Sequence, residues 1–163
     1  MSERLAQAVA LRAGGEPGQA RPLLLALRAE FPSDPEIARQ TAWVHDVLGL
    51  EAEAVPHYRA AIAGGLPDAD LADTMLGLGS TLRALGRDDE AEEAFQAALR
   101  RFPGHRPLRA FHALLRYNAG DARQAVAELL HLLVETTADP DIQQYGRALT
   151  SYADDLDRGW LAS

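Results

Sequence analysis

A glycine stands five residues before an alanine at four places in this chain: Gly15 before Ala20, Gly49 before Ala54, Gly86 before Ala91 and Gly120 before Ala125. The alanines are spaced by 34, 37 and 34 residues. Four positions after each comes a bulky side chain (Leu24, Tyr58, Phe95, Leu129), and three further on stand Leu27, Ala61, Ala98 and Leu132. Twelve positions before each alanine is a second small residue: Ala8, Ala42, Gly79 and Ala113. Proline follows at Pro32 and Pro103 in one register, at Pro67 one residue late and at Pro140 three late. Self-similarity at such a period is the mark of one supersecondary unit used repeatedly.

The unit is a pair of helices. Between the turn signals lie stretches with apolar positions three and four apart, as in Leu71, Met75, Leu78, Leu82 and Leu85, or Ala91, Ala94, Phe95, Ala98 and Leu99. No stretch alternates with period two for long enough to make a strand. The spacing predicts helices at about 2–13, 17–30, 34–48, 51–63, 69–85, 88–101, 106–118, 121–136 and 139–157. Charges agree with these ends: the helix at 88–101 opens Asp88-Asp89-Glu90 and closes Arg100-Arg101, complementing its dipole. Ser33 or Asp34, and Asp121, are good N-cap types, and Pro107 suits a first turn. The small residues let paired helices approach, and the bulky residue four on fills the space beside that contact. Glycine after the first helix supplies the left-handed cap of a tight turn. One pair cannot bury its own apolar face, so the pairs must stack.

Composition supports an all-helical chain. Hydrophobic residues make up 47% of it and aromatics only 6%, so the apolar content is chiefly Ala and Leu, strong helix formers. There is no apolar run of about 18 residues that would span a membrane. The opening MSERLAQAVALRAGG mixes acid and base without a long apolar block, so no secretory signal is expected. Cysteine is absent, which excludes disulfides, thiolate metal sites and a cysteine nucleophile, and fits a cytoplasmic setting. The net charge of −8 argues against general nucleic-acid binding, which needs a basic stripe to displace counterions. All sixteen basic residues are arginine.

These positions resemble the tetratricopeptide-repeat family. The third copy, with Leu78-Gly79, Leu82, Gly86, Ala91, Phe95, Ala98 and Pro103, carries the likeness best. The first is weakest, because Arg4 and Gln7 stand where the family has bulky residues. The run LGSTLRALGRDDEA is similar to a bacterial, group-5 type within the family. The resemblance implies an all-α, right-handed superhelical solenoid of four stacked antiparallel pairs, at about 1–34, 35–71, 72–105 and 106–138, forming a single domain over 1–157. A polar capping helix is expected at 139–157 and a tail at 158–163. It also implies an interaction scaffold that holds a peptide or protein segment in a concave groove lined by the first helix of each pair. By repeat position that groove takes Glu36, Arg39, Gln40, Trp43 and Asp46, then Asp73, Leu76, Ser80 and Arg83, then Ala110, Leu114, Tyr117 and Asn118. The expected contact set is Arg39, Trp43, Asp46, Leu76, Ser80, Arg83, Leu114, Tyr117 and Asn118, since Trp, Tyr and Arg most often anchor interfaces. Trp43 packed between helices is the competing reading. Members that bind chaperone tails clamp a carboxylate with Lys and Asn; the matching positions here, Leu5, Val9, Gln40, Asp73 and Gly77, hold no cation. The alternative to groove binding is self-association into a homodimer or larger assembly through terminal pairs, with Leu5, Val9, Leu11, Leu23 and Leu24 as one apolar candidate face.

Other motifs weigh little. Glu128, His131 and Glu135 share a helix face, but di-iron bundles need a second such set, so no metal or other cofactor is expected. The five histidines fit packing or polar roles. Gly77-Leu78-Gly79 lies inside a helix and lacks a third glycine, and without lysine there is no phosphate loop. No serine sits in a nucleophile elbow. The arginines from Arg100 to Arg109 fit a solvated turn offset by Asp88, Asp89, Glu92 and Glu93. No nucleophile–base pair emerges, so an enzyme is not expected. Trp160-Leu161 in the tail is an apolar pair that calls for a contact.

Overall fold

The computed structural model describes residues 2–157, and the tail with Trp160 and Leu161 lies outside the described residues. Among the described residues the regular structure is helical throughout. In chain order the helices are α1 (Ser2–Ala13), α2 (Pro17–Glu30), α3 (Pro35–Val47), α4 (Glu51–Ala63), α5 (Asp68–Ala84), α6 (Asp88–Arg101), α7 (Arg106–Asn118), α8 (Ala122–Thr136), α9 (Pro140–Gln143) and α10 (Gly146–Asp154). None of them is long and apolar enough to cross a membrane. The chain divides into two compact units, Met1–Ala98 and Leu99–Ser163.

The pair turns are built alike. At Gly15, Gly49, Gly86 and Gly120 the backbone has φ of +82°, +71°, +68° and +89°. Each such residue lets the next amide reach back five positions: Glu16 to the Leu11 carbonyl, Leu50 to His45, Arg87 to Leu82 and Asp121 to Arg116, at 2.8–3.0 Å. This is the Schellman closure, which satisfies carbonyls that a helix end would otherwise leave open. Side chains close several N-termini. Asp34, rather than Ser33, accepts from the Ile37 amide at 3.0 Å, and Asp121 accepts from Gln124 at 3.1 Å. Pro22 and Pro56, each two residues past a recurring alanine, stand exposed inside α2 and α4, where the missing N–H faces no core.

In the first unit α1 pairs with α2 and α3 with α4, while α2 also packs on α3 and α4 on α5. Ala8, Ala20, Leu24 and Val44 form one buried cluster, with Leu5, Leu11 and Leu23 packed against it. Of the leucines on this face Leu24 is buried, while Leu5, Leu11 and Leu23 are half-buried against the cluster. Ala38, Ala61 and Leu66 form a second cluster. Where α5 meets α6, Gly79 lies so close under Phe95 that a β-carbon would fall 2.8–2.9 Å from three ring carbons. All eight small positions of the repeat, in both units, are buried.

In the second unit α7 pairs with α8, and α10 packs on α8. Arg109 of α7 reaches Glu128 at 2.5 Å and Glu135 at 2.6 Å on α8, so the carboxylates beside His131 are held by a guanidinium. His131 itself lies 3.3 Å from Asp154 of α10. The capping helix expected at 139–157 is two helices. Asp139 caps Asp141, and the Gln144 and Tyr145 amides fold back on the carbonyls of Pro140 and Ile142. This turn restarts the helix at Gly146, against Val134, and α10 then buries Ala153. The four-residue α9 has Ile142 as its single large apolar side chain, too little to hold a longer helix in place.

Candidate functional site

The first unit gathers several of the expected residues around α3. Helical spacing puts Arg39 one turn before Trp43, and its guanidinium carbon sits 4.6 Å from the centroid of the indole. Arg12, from the last turn of α1, brings a second guanidinium to 4.7 Å of the same ring. Each is within cation–π range, where the negative face of the indole attracts the charge. Trp43 is half-buried: the ring is braced by its neighbours and still reaches solvent.

The arginines are positioned by their own partners. Arg39 is nearly buried and pairs with Glu36 at 2.7 Å, one turn back, and with Asp70 at 3.1 Å in the first turn of α5. Gln40 donates to Glu36 at 2.8 Å and accepts from Arg12 Nε at 3.2 Å. The chain of contacts Arg12–Gln40–Glu36–Arg39–Asp70 thus runs across α1, α3 and α5. Burial, then the nearby charge of Arg39, lowers the pKa of Arg12 from its usual value.

One turn further along α3, Asp46 serves inside the chain. Its carboxylate accepts from the Tyr58 hydroxyl at 2.5 Å and lies 2.9 Å from the Thr81 hydroxyl, tying α3 to α4 and α5. Burial raises the Asp46 pKa, and the two hydroxyl contacts oppose that shift. Tyr58 is pushed up by burial and by the carboxylate beside it, so its proton stays on the phenol. The ring reaches this place only because Gly77 has no side chain: a β-carbon there would fall 2.7 Å from the ring and its oxygen. Glycine at 77 therefore serves packing against Tyr58, not phosphate binding.

Of the remaining expected residues, Leu76, Ser80 and Arg83 are half-buried on α5. Leu114, Tyr117 and Asn118 are exposed on α7, in the second unit. Glu36 and Gln40 were expected in the groove but not in the contact set, and two further residues of the cluster, Asp70 and Arg12, were in neither. Asp70 stands in the first turn of α5, ahead of the positions taken as groove-facing. Arg12 stands four residues after Ala8, as Asp46, Arg83 and Tyr117 stand after Ala42, Gly79 and Ala113. Extending that register to the first pair would have found it.

A second polar cluster joins α2, α3 and α4. His45 is buried; its Nδ1 lies 2.7 Å from the Thr41 carbonyl, and its Nε2 accepts from Arg21 Nε at 3.1 Å. The ring of His57 is 5.2 Å away. Burial, then the charges of His45 and Arg28, lowers the His57 pKa to about 4.

The model of the family described as tetratrico peptide repeat matches residues 35–156. The crystal structure of a thermophilic TPR protein from Thermus thermophilus superposes with a TM-score of 0.60 at 24% identity, covering 96% of this chain and 84% of that one. The Pseudomonas aeruginosa protein pilF aligns over 99% of this chain and 92% of its own, with a TM-score of 0.41 and 16% identity. No curated protein matches the sequence. The repeated glycine turns, the buried small positions and the match over most of its length establish that the chain belongs to the tetratricopeptide-repeat family.

Proposed function

We propose that this protein is a non-catalytic adaptor that holds a segment of another protein against the first helices of its pairs, with Trp43 as the anchor. Tetratricopeptide repeats generally mediate protein–protein interaction, which supports the class. The observation that carries the site is the half-buried indole of Trp43 with the guanidinium groups of Arg12 and Arg39 on its ring. A rigid aromatic flanked by arginines loses little conformational freedom on binding, which is why such groups dominate interface energetics. Leu76, Ser80 and Arg83 extend the surface on α5. By repeat position the reading extends to Leu114, Tyr117 and Asn118 on α7. Asp46 acts there as an internal brace, not as a direct contact.

The test compares wild-type bait with the triple variant Trp43→Ala, Arg83→Ala, Tyr117→Ala in pull-downs from lysate, read by mass spectrometry, after circular dichroism shows equal helicity. A partner held by the wild type and lost by the variant supports the assignment. Equal capture by both proteins refutes it.

A further inference from the structure

Several arginines of the first unit are matched by carboxylates: Arg4 meets Glu30 at 2.8 Å, Arg39 meets Glu36 and Asp70, and Arg59 meets Glu90 at 2.6 Å. Arg12 is half-buried and pairs with no carboxylate among the described residues. Its Nε donates to Gln40 at 3.2 Å, and its guanidinium carbon lies 4.7 Å from the centroid of the Trp43 ring. Nη1 and Nη2 take part in no hydrogen bond among the described residues, and neither is sealed from solvent. Gln40 and Trp43 thus fix the guanidinium and leave its Nη1–Nη2 edge open. The setting works against an uncompensated cation. Burial, then the charge of Arg39, holds the Arg12 pKa below its usual value, and Glu36 offsets this only in part. Glu36 is itself engaged by Arg39, at 2.7 and 2.8 Å, and by Gln40 at 2.8 Å. A partly desolvated charge without a counter-charge is costly, and an anion placed on it recovers that cost.

We propose that the Nη1–Nη2 edge of Arg12 receives a single aspartate or glutamate side chain of the partner segment, with the apolar residues next to it lying on Trp43. The assignment rests on the proposed role of Trp43 as the anchor. Two parallel N–H groups match the two oxygens of a carboxylate. One acid fits here and an acidic run does not, because Glu36, Asp70 and Asp73 stand on α3 and α5 and the chain carries a net charge of −8. A phosphoryl dianion meets the same repulsion with twice the charge. A chain end is disfavoured as well. Clamping a terminal carboxylate takes donors from several side chains, and here Arg39 is held by Glu36 and Asp70, and Gln40 by Glu36 and Arg12. The partner is therefore an internal, mainly apolar segment with one acid, for which Trp43 and Leu76 supply the apolar surface.

The test selects random dodecapeptides on the full chain, displayed within a carrier loop so that neither end is free, and measures the winners by fluorescence anisotropy. Enriched peptides are expected to share one Asp or Glu among apolar residues and to be released by Trp43→Ala. Changing that acid to its amide should weaken binding to the wild type about tenfold and binding to Arg12→Gln hardly at all. If Arg12→Gln loses helicity, Arg12→Lys, which keeps the charge but not the fork, takes its place and should likewise narrow the difference. Peptides released by Trp43→Ala that share no acid, or whose acid matters equally to the Arg12 variant, overturn the proposal while the groove assignment stands. Peptides that bind Trp43→Ala as well as the wild type, or a selection without enrichment, defeat the groove assignment and this proposal with it. An acid recognised only in a second library with free C-termini gives the site to a chain end and also overturns the proposal.

Discussion

Substituting Gly79 by alanine sets two opposed effects against each other in one methyl group. In the interior of α5, alanine is favoured over glycine by about 1 kcal/mol, since glycine loses more backbone freedom on folding. Against this, the new carbon would lie 2.8 Å from Cζ of Phe95 and 2.9 Å from both Cε atoms. Phe95 is fully buried, so its ring cannot swing aside without disturbing the α5–α6 packing. Overpacking of this kind costs about 1–3 kcal/mol. The net expectation is a loss of up to about 2 kcal/mol, or a fall in Tm of up to about 8 °C for a chain of this size. Gly18 in the first turn of α2 is the control, because a β-carbon there meets nothing within 4 Å. Gly18→Ala should raise stability by about 0.4–1 kcal/mol. Both are read from urea unfolding followed by circular dichroism. The cause is checked by adding Phe95→Leu, which withdraws the ring: the pair should recover at least about 0.5 kcal/mol relative to the sum of the single changes. If Gly79→Ala stabilises as Gly18→Ala does, α5 and α6 do not approach as closely as described and the packing account of the repeat fails.

Tyr58→Phe keeps the ring against Gly77 and removes the donor to Asp46, so stability should fall by about 1–2 kcal/mol. The Asp46 pKa, already raised by burial, should rise further, which carbon-detected NMR titration of its carboxyl would read; an unchanged value refutes the brace. For His57 the folded pKa of about 4 lies below the unfolded value, so the unfolded chain takes up the proton first. Its contribution to stability is therefore full above the unfolded pKa of about 6.5 and is lost as pH falls toward 4. Urea midpoints between these limits should fall more steeply for the wild type than for His57→Asn, and parallel curves would refute the assignment.

The small positions and the glycine turns were readable in the sequence because each rests on one local requirement, close approach or a positive φ, that few residues meet. The capping segment was not, because a pattern of three and four holds equally for one helix or two. What decides it is the local turn at Gln144 and Tyr145, together with the surface α8 offers to Ala153. Trp43 stood out in the sequence by residue type alone. The arginines on its ring did not, since Arg12 arrives from α1 and Arg39 is fixed by Asp70 from α5, so their placement depends on how three helices pack. The bulky position of the fourth copy misled for the converse reason. Sequence equates Leu129 with Leu24, Tyr58 and Phe95, but burial depends on what lies beside the residue as well as on its type.

The same logic separates the positions that build this fold from those that give it a role. The small residues at 8, 42, 79 and 113 and at 20, 54, 91 and 125 vary only between alanine and glycine, because larger side chains would push paired helices apart. Four residues after the first of these, the same register holds Arg12, Asp46, Arg83 and Tyr117: a cation, an anion, a cation and an aromatic. That register is free to vary because it looks outward from its own pair, and what it meets differs from pair to pair. Arg12 turns to Trp43, Asp46 is consumed by Tyr58 and Thr81, and Tyr117 remains open. A substitution in the first set should therefore act on stability, as at Gly79. A change at the exposed Tyr117 should leave the melting curve nearly untouched, whereas Arg12→Ala, which loses the contact with the Trp43 ring and the bond to Gln40, should cost about 1 kcal/mol.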